Sequence, residues 1–488
     1  MLILRRIIFY SFVLLYAVCC PLIVLYALGY TVKPGTDQGI IKSGLIYFST
    51  APPGASIFLS NRRASRRTPA ILSDLTPGEY PVRVVLKKHK PWTAILPVEA
   101  GKATVLERVL LLPEDFKREI LSSVAFEDLL SLSENRFFLL TRGKRAEDLL
   151  IYDWKEERFW PVLPVAFSIR SAEIRSVFRV EGGSAFILHL GSDEGEQFLW
   201  VLPRGKETQV KDISKLLSGK PEQIAWDPED HRFLFSFEGG YLSRMDMTSE
   251  HTEPNFLSAP RGYGLFNRKI YVLTQDPVFA RMDLSGKKEK ILLDDPVLGQ
   301  SLFGSEGFYR IRPVTEDLIL FLGRKGDLLA NRLPYRFVNE GVHGIEPYPK
   351  LKRVLVWKEN ALGILDFSVE RDQPRGFETG PKLVWVFKQG KEIEQAFWVY
   401  EGSHILFRDQ NRVFLLELET YGKPRLNELF SVKEGSSIYY AEDTGEVFYL
   451  EEHTGYLSSL EVVPRREILL LPFPERKEER KRSEIGEL

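Results

Sequence analysis

Between about residues 120 and 465 one short apolar run keeps returning: "RFFLLT", "AFILHL", "RFLFSF", "KIYVLT", "DLILFL", "RVLVWK", "HILFRD" and "EVFYLE". From Phe137 in the first to Val447 in the last, the seven intervals cover about 310 residues, a mean near 44. Most runs lead through a turn into a second β-rich run, as in "GGYLSRMDM", "NALGILDFSV" and "NRVFLLELE". No long helical pattern interrupts them. A unit of this size cannot bury both faces of its own sheet, so each must pack on its neighbours.

Short strands recurring every 40 to 50 residues or so predict a β-propeller, in which each four-stranded blade is covered by the blades beside it. "DLSGKKEKIL", residues 283 to 292, is phrased as an outer hairpin with its turn at Ser285-Gly286. Spacing is irregular and no Trp-Asp or Gly-His signature repeats, so the region resembles divergent propellers in general and no named repeat family. Seven or eight blades are expected over residues 120–465; a long array of stacked sandwiches is the alternative. Hydrophobic residues make up 44% of the 488-residue chain and aromatics 12%, enough for one large core and a small second one. The 66 basic residues are balanced by 67 acidic ones, which removes any bulk charge for nucleic-acid binding.

The amino end sets the compartment. After Arg5 and Arg6, "IIFYSFVLLYAVCCPLIVLYALG" (residues 7–29) carries no charge. At about 1.5 Å per residue it covers a hydrocarbon core of about 30 Å. Two arginines before it and only Lys33 soon after predict residues 1–6 inside, residues 7–29 as a signal anchor through the bilayer, and everything beyond outside. The rival is a cleaved signal peptide with Ala27 and Gly29 as its small-x-small site, though the apolar region exceeds the usual length. Both readings export the bulk of the chain. Pro21 is expected to kink the helix. Cys19 and Cys20 are the only cysteines, so neither a disulfide framework nor a thiolate metal site is available elsewhere.

Residues 30–43 read as a linker. "GLIYFST", "ASIFLS" and the alternating "EYPVRVVLK" then give short strands separated by Pro52-Pro53-Gly54, Thr68-Pro69 and Thr76-Pro77-Gly78, with two more strands about Gly101. The expected form is a small antiparallel double layer of about 70 residues. "APPGASIFLSN", "RTPAILSDLTPGEYPVRV" and a last strand ending "LLLP" resemble the PEGA domain, a small extracytoplasmic β-sandwich of prokaryotic surface proteins. The resemblance covers about residues 44–113. Its naming motif falls on Pro52, Pro53, Gly54 and Ala55, with Pro53 where the family has Glu; Thr68-Pro69 and Pro77-Gly78-Glu79-Tyr80 match later positions. It implies an accessory or binding module, and the family offers no general catalytic residues to carry over.

A search for chemistry returns no catalytic, cofactor-binding or metal-ligating residue. The seven histidines never form H-E-x-x-H or H-x-H, and no G-x-S-x-G, Walker loop or dinucleotide fingerprint occurs. His189 and His404 read as structural. "GSDEGEQFLW" (191–200) and "DPEDH" (227–231) read as hairpin turns rather than an Asp-box or calcium loop. Charge is the clear local signal: residues 44–112 hold ten Lys and Arg against four acids. Arg62, Arg63, Arg66, Arg67, Lys87, Lys88 and Lys90 are the candidate contacts for an anionic surface, either lipid headgroups or a wall polymer. The competing reading is a sheet edge protected by charge against pairing. The tail 466–488 mixes signs without an apolar stripe and is expected to be solvated. Together these features predict a membrane-anchored, extracytoplasmic, non-catalytic binding or scaffolding protein of the cell envelope, with a protein or glycan partner and no nucleic acid. A propeller hydrolase or lyase acting on surface glycans is the alternative.

Overall fold

The computed structural model describes residues 2–464 except 28, 33–39, 133–135, 164–171, 181–182, 194, 205–206, 218, 277, 294–295, 305–306, 369–380 and 419–423. The expected tail 466–488 and the middle of the expected linker lie outside the described residues.

Each of the eight apolar runs is the second strand of a four-stranded antiparallel blade. Blades 1 to 7 span residues 128–161, 173–212, 223–258, 262–293, 309–338, 344–387 and 393–431. Blade 8 takes three strands from 439–461 and its fourth from Arg118–Ala125, paired antiparallel with Tyr456–Glu461. The number is therefore eight, and the amino-terminal strand closes the ring.

The runs are almost continuously apolar because both faces of every blade are covered. Along the second strand of blade 2, Phe186, Leu188 and Leu190 pack toward blade 1, while Ala185 and Ile187 pack toward blade 3. Separate buried clusters occupy all eight seams, and the last joins Phe126, Phe138 and Tyr152 of the first blade's side to Phe448 and Leu457 of blade 8. Blades 4 and 5 come closer still, with their innermost strands paired in parallel at Gly262↔Tyr309. A Cβ at Gly262 would lie 2.3 Å from the Tyr309 carbonyl oxygen and one at Gly264 2.1 Å from that of Ile311, so this approach requires glycine.

A polar device repeats with the blades. An arginine opens the second strand and an aspartate closes the third: Arg136 with Asp153 (2.7 Å), Arg232 with Asp246 (3.0 Å) and Arg353 with Asp366 (2.8 Å). The second oxygen of each carboxylate caps the following turn, as Asp153 does by accepting the Lys155 and Glu156 amides. Hydrogen bonds from Arg232 and the Thr248 amide hold Asp246 down at about 2, against an ordinary 3.8.

Ahead of the ring, helix α1 (Leu2–Ala27) runs through Pro21 and is apolar and exposed. The ends of the expected linker pair instead as β1 (Tyr30–Val32) and β2 (Ile40–Lys42). The sandwich has one layer of β3 (Gly44–Ala51), β6 (Ala70–Leu75) and β9 (Ala103–Leu110), ordered β6-β3-β9. The other holds β4 (Ser56–Leu59), β5 (Arg62–Arg67), β7 (Gly78–Val85) and β8 (Trp92–Val98), ordered β5-β4-β7-β8. Ile46, Phe48, Ile57, Val84 and Leu96 meet between the layers. The layers are not wholly antiparallel, because β3 and β9 run parallel. The chain thus enters at one end of the sandwich and leaves at the other.

Asp153→Ala should lower unfolding stability by about 2 kcal/mol, since it strips a buried carboxylate from Arg136 and two amides; Asp193→Ala, in an exposed hairpin, should change it by less than about 0.5 kcal/mol in the same denaturant titration. Because Asp246 is depressed when folded, its stabilisation is complete above pH 4 or so and fades as pH falls toward about 2. Asp246→Asn should flatten that part of an acid-stability profile.

Candidate functional site

Two arrangements on the sandwich are candidates: its junction with the propeller and its basic face. The junction begins with β9, whose Leu110 joins Ala51 and Leu112 in the cluster between blades 7 and 8. Trp92, buried at the start of β8, stands edge-on to Phe48 and sends its indole N–H to both carboxylate oxygens of Glu417, at 3.0 and 3.2 Å. The Arg425 guanidinium lies 4.5 Å over the same indole, and Arg108 pairs with Glu401 at 3.2 Å.

This junction modifies the repeated arginine–aspartate device. In blade 7 the cross-strand pair in the register of Arg353↔Asp366 is His404↔Glu417. The longer carboxylate side chain reaches the sandwich, and a buried histidine replaces the exposed-ended arginine. Burial pushes His404 down to about 3, so it is neutral, with Nδ1 2.8 Å from the Ser403 hydroxyl. His404 is thus a packed structural residue.

Strand direction shows which end of the ring is used. Turns between first and second strands, and between third and fourth, emerge at one end; second-to-third turns and blade-to-blade connections emerge at the other. Glu401, Glu417 and Arg425 all belong to the first end. Among the described residues, these contacts with the sandwich fall there, on blades 7 and 8. At the opposite end, the Pro296–Phe303 helix is held by buried Arg261, which donates to the Phe303 and Gly304 carbonyls. Arg324 reaches from blade 5 to Glu222 beside blade 3 at 3.4 Å.

The helix joins the sandwich at its other end. Both the amide and the hydroxyl of Ser43 donate to the Gly29 carbonyl at 2.8 Å, and the Gly101 amide donates to the Ser43 carbonyl at 2.9 Å. With β3 running from this end to the propeller, its eight residues separate helix and ring by about 23 Å.

The seven basic candidates split. Arg62, Arg63, Arg66 and Arg67 form β5, the exposed edge strand next to β4. That position is where charge discourages edge-to-edge pairing. Lys87, Lys88 and Lys90 lie exposed in the β7–β8 turn, tied to the junction by the Lys90 amide on Leu112 and the Glu114 amide on Lys88. Arg67 pairs with Ser56 and Ser56 with Val85, which places that end of β5 toward the propeller; Arg62 reaches the middle of the sheet. The charge pattern of the sequence does not single out Arg83, which faces the same side with its guanidinium 4.9 Å over Phe58.

The two acidic turns are occupied by their own backbone or by neighbouring side chains. Asp227 accepts the amides of Glu229, Asp230 and, from the next blade, Arg268 at 2.6 Å. His189 stacks on Phe198 at 4.2 Å beside Glu196, whose carboxyl is lowered chiefly by Lys220.

Comparison with known protein families gives one domain. Residues 43–111 match the PEGA domain. The match covers the described sandwich from the residue before β3 to the residue after β9. A search of curated proteins finds no match. Solved structures similar to the chain include the β-propeller domain of Cps50 (Swd1) from Myceliophteria thermophila, 11% identical over 70% of this chain and 98% of that one, with a TM-score of 0.36. Another is the computationally designed Ika8 protein, 9% identical over 57% and 91%, with a TM-score of 0.35. The propeller assignment rests on strand order and seam packing rather than on these neighbours.

A double-mutant cycle on Trp92→Phe and Glu417→Ala should give a coupling of about 1 to 3 kcal/mol in unfolding free energy, because the indole donates to a charged acceptor in a buried site. A coupling near zero would remove the junction's central contact.

Proposed function

We propose that this chain is a single-pass, membrane-anchored extracytoplasmic protein, with the PEGA-like sandwich as a fixed stalk and the eight-bladed propeller as a non-catalytic binding or scaffolding head for an envelope protein or glycan. One observation carries the proposal. The sandwich takes the helix at one end and the first end of blades 7 and 8 at the other, so the opposite end of the ring is left for a partner. Loops held on such a rigid scaffold are the usual place for recognition. The helix supports anchoring by its length and composition: Arg5–Leu25 has a mean hydropathy of 2.5. The PEGA match supports an exported position for the sandwich and propeller.

Added protease should digest the propeller of intact cells expressing the chain, while an amino-terminal fragment containing α1 stays with the membrane fraction. Full protection until the cells are lysed would contradict the export, and release of an intact soluble chain beginning near Tyr30 would replace the anchor with a cleaved signal peptide.

A further inference from the structure

The outer face of the β5-β4-β7-β8 layer carries a row of side chains that alternates charge with an aromatic ring. Arg63 stands opposite Phe58, Phe58 opposite Arg83, and Arg83 opposite Thr93, so one row crosses all four strands. Beside it an open cleft of about 440 Å³ is lined by Phe58, Asn61, Pro81, Arg83, Thr93 and Ile95, among others. Ile95 is 59% exposed, a large apolar side chain left on the surface that shares the cleft lining with Arg83.

The charges are not neutralised locally. Among the described residues no ion pair involves Arg62, Arg63, Arg66, Arg67 or Arg83, whereas propeller arginines such as Arg136, Arg232, Arg353 and Arg408 each hold a carboxylate. Arg63 makes one side-chain hydrogen bond, to Ser56 at 3.2 Å. Arg83 holds its guanidinium over the Phe58 ring, which limits where its donors lie before any ligand arrives. Three of the four sandwich acids, Asp74, Glu79 and Glu99, lie toward the helix end, where Leu75 pairs with Gly44 and Gly78 with Val98, and the fourth, Glu107, is on β9 in the other layer.

We infer that this face binds an acidic carbohydrate chain, with Arg63 and Arg83 taking carboxylate or phosphate groups two sugars apart and Asn61 and Thr93 bonding sugar hydroxyls. Ile95 and Pro81 supply an apolar wall for the C–H face of a ring. Strand spacing puts the Arg63 and Arg83 backbones about 10 Å apart, the scale of anionic groups on every second sugar. A guanidinium matches such oxyanions by its forked donors. An acidic peptide adding as a strand would use the β5 edge instead, since the row offers side chains and no free backbone ladder. The inference gives a ligand class to the stalk and rests on the exported position proposed above.

The test uses the full chain in nonionic detergent, titrated with hexagalacturonate and with a phosphorylated mannan oligosaccharide; maltohexaose, hexaglutamate and phosphatidylglycerol vesicles are the comparisons. At least one acidic oligosaccharide should bind, maltohexaose should not, and Arg63→Ser with Arg83→Ser should weaken binding tenfold or more. Thr93→Val should weaken it several-fold, and Lys87→Ser with Lys88→Ser less than threefold. All these side chains are exposed, and an unchanged melting temperature checks folding. Binding of neither oligosaccharide, equal binding of hexaglutamate, binding of vesicles alone, or indifference to the arginine pair would overturn the inference. None of those results alters protease exposure in cells, so the topology stands or falls separately.

Discussion

The ring is closed by Arg118–Ala125, and that strand comes almost directly after the last strand of the sandwich, which ends at Leu110. Residues 111–117 are all the chain has to pass from one body to the other. Closure therefore fixes where the sandwich sits: it must lie against blade 8, at the end where the closing strand enters. Without that strand blade 8 would hold three strands; the fourth and outermost is supplied from the amino side. A swinging tether is incompatible with this connection, and the apolar cluster shared by Leu110, Leu112 and blades 7 and 8 fills the space that remains.

Blade 7 shows how a repeat becomes an interface. In blades 1, 3 and 6 an arginine and an aspartate tie the second strand to the third and cap the next turn, a local stabilising use. Glu417 is one methylene longer and its cross-strand neighbour is a neutral, buried His404, so the carboxylate turns outward to the Trp92 indole. Three bonds of different kinds then converge on the stalk: a charged hydrogen bond, a guanidinium over the ring, and the Arg108–Glu401 ion pair. A partly exposed ion pair alone contributes little. The buried indole supplies both apolar area and a donor that needs its acceptor.

Much of this was legible in the sequence. The eight apolar runs are the eight second strands, since a strand buried on both faces must be apolar throughout, and the proline-glycine turns of the sandwich marked its strands. The Arg–Asp repeat was also there to be read, in "RFF…YD", "RFL…MD" and "RVL…LD", but it has no fixed spacing because the intervening hairpins differ in length. Other features were out of reach. Trp92 and Glu417 are 325 residues apart, and nothing local in either segment names the other. The parallel approach at Gly262 and Gly264 depends on a backbone in another blade. Nothing in the local pattern of "RRASRR" marks a strand; its pairing with β4 makes it one. Of the candidate site, the arginines on β5 were visible as charge, whereas Arg83 and Phe58 gain meaning only when β4 and β7 are set side by side.

These contacts make stalk and head one rigid body, and the proposed presentation of the free propeller end depends on that rigidity. The most direct test is a pulsed electron-spin distance measurement between labels at Ile95 on the sandwich and Tyr241 on blade 3, both exposed, with Cys19 and Cys20 replaced by serine. A single narrow distance distribution is predicted, broadening when Glu417→Ala and Arg108→Ala are combined. A broad distribution in the otherwise unaltered chain would contradict a fixed stalk.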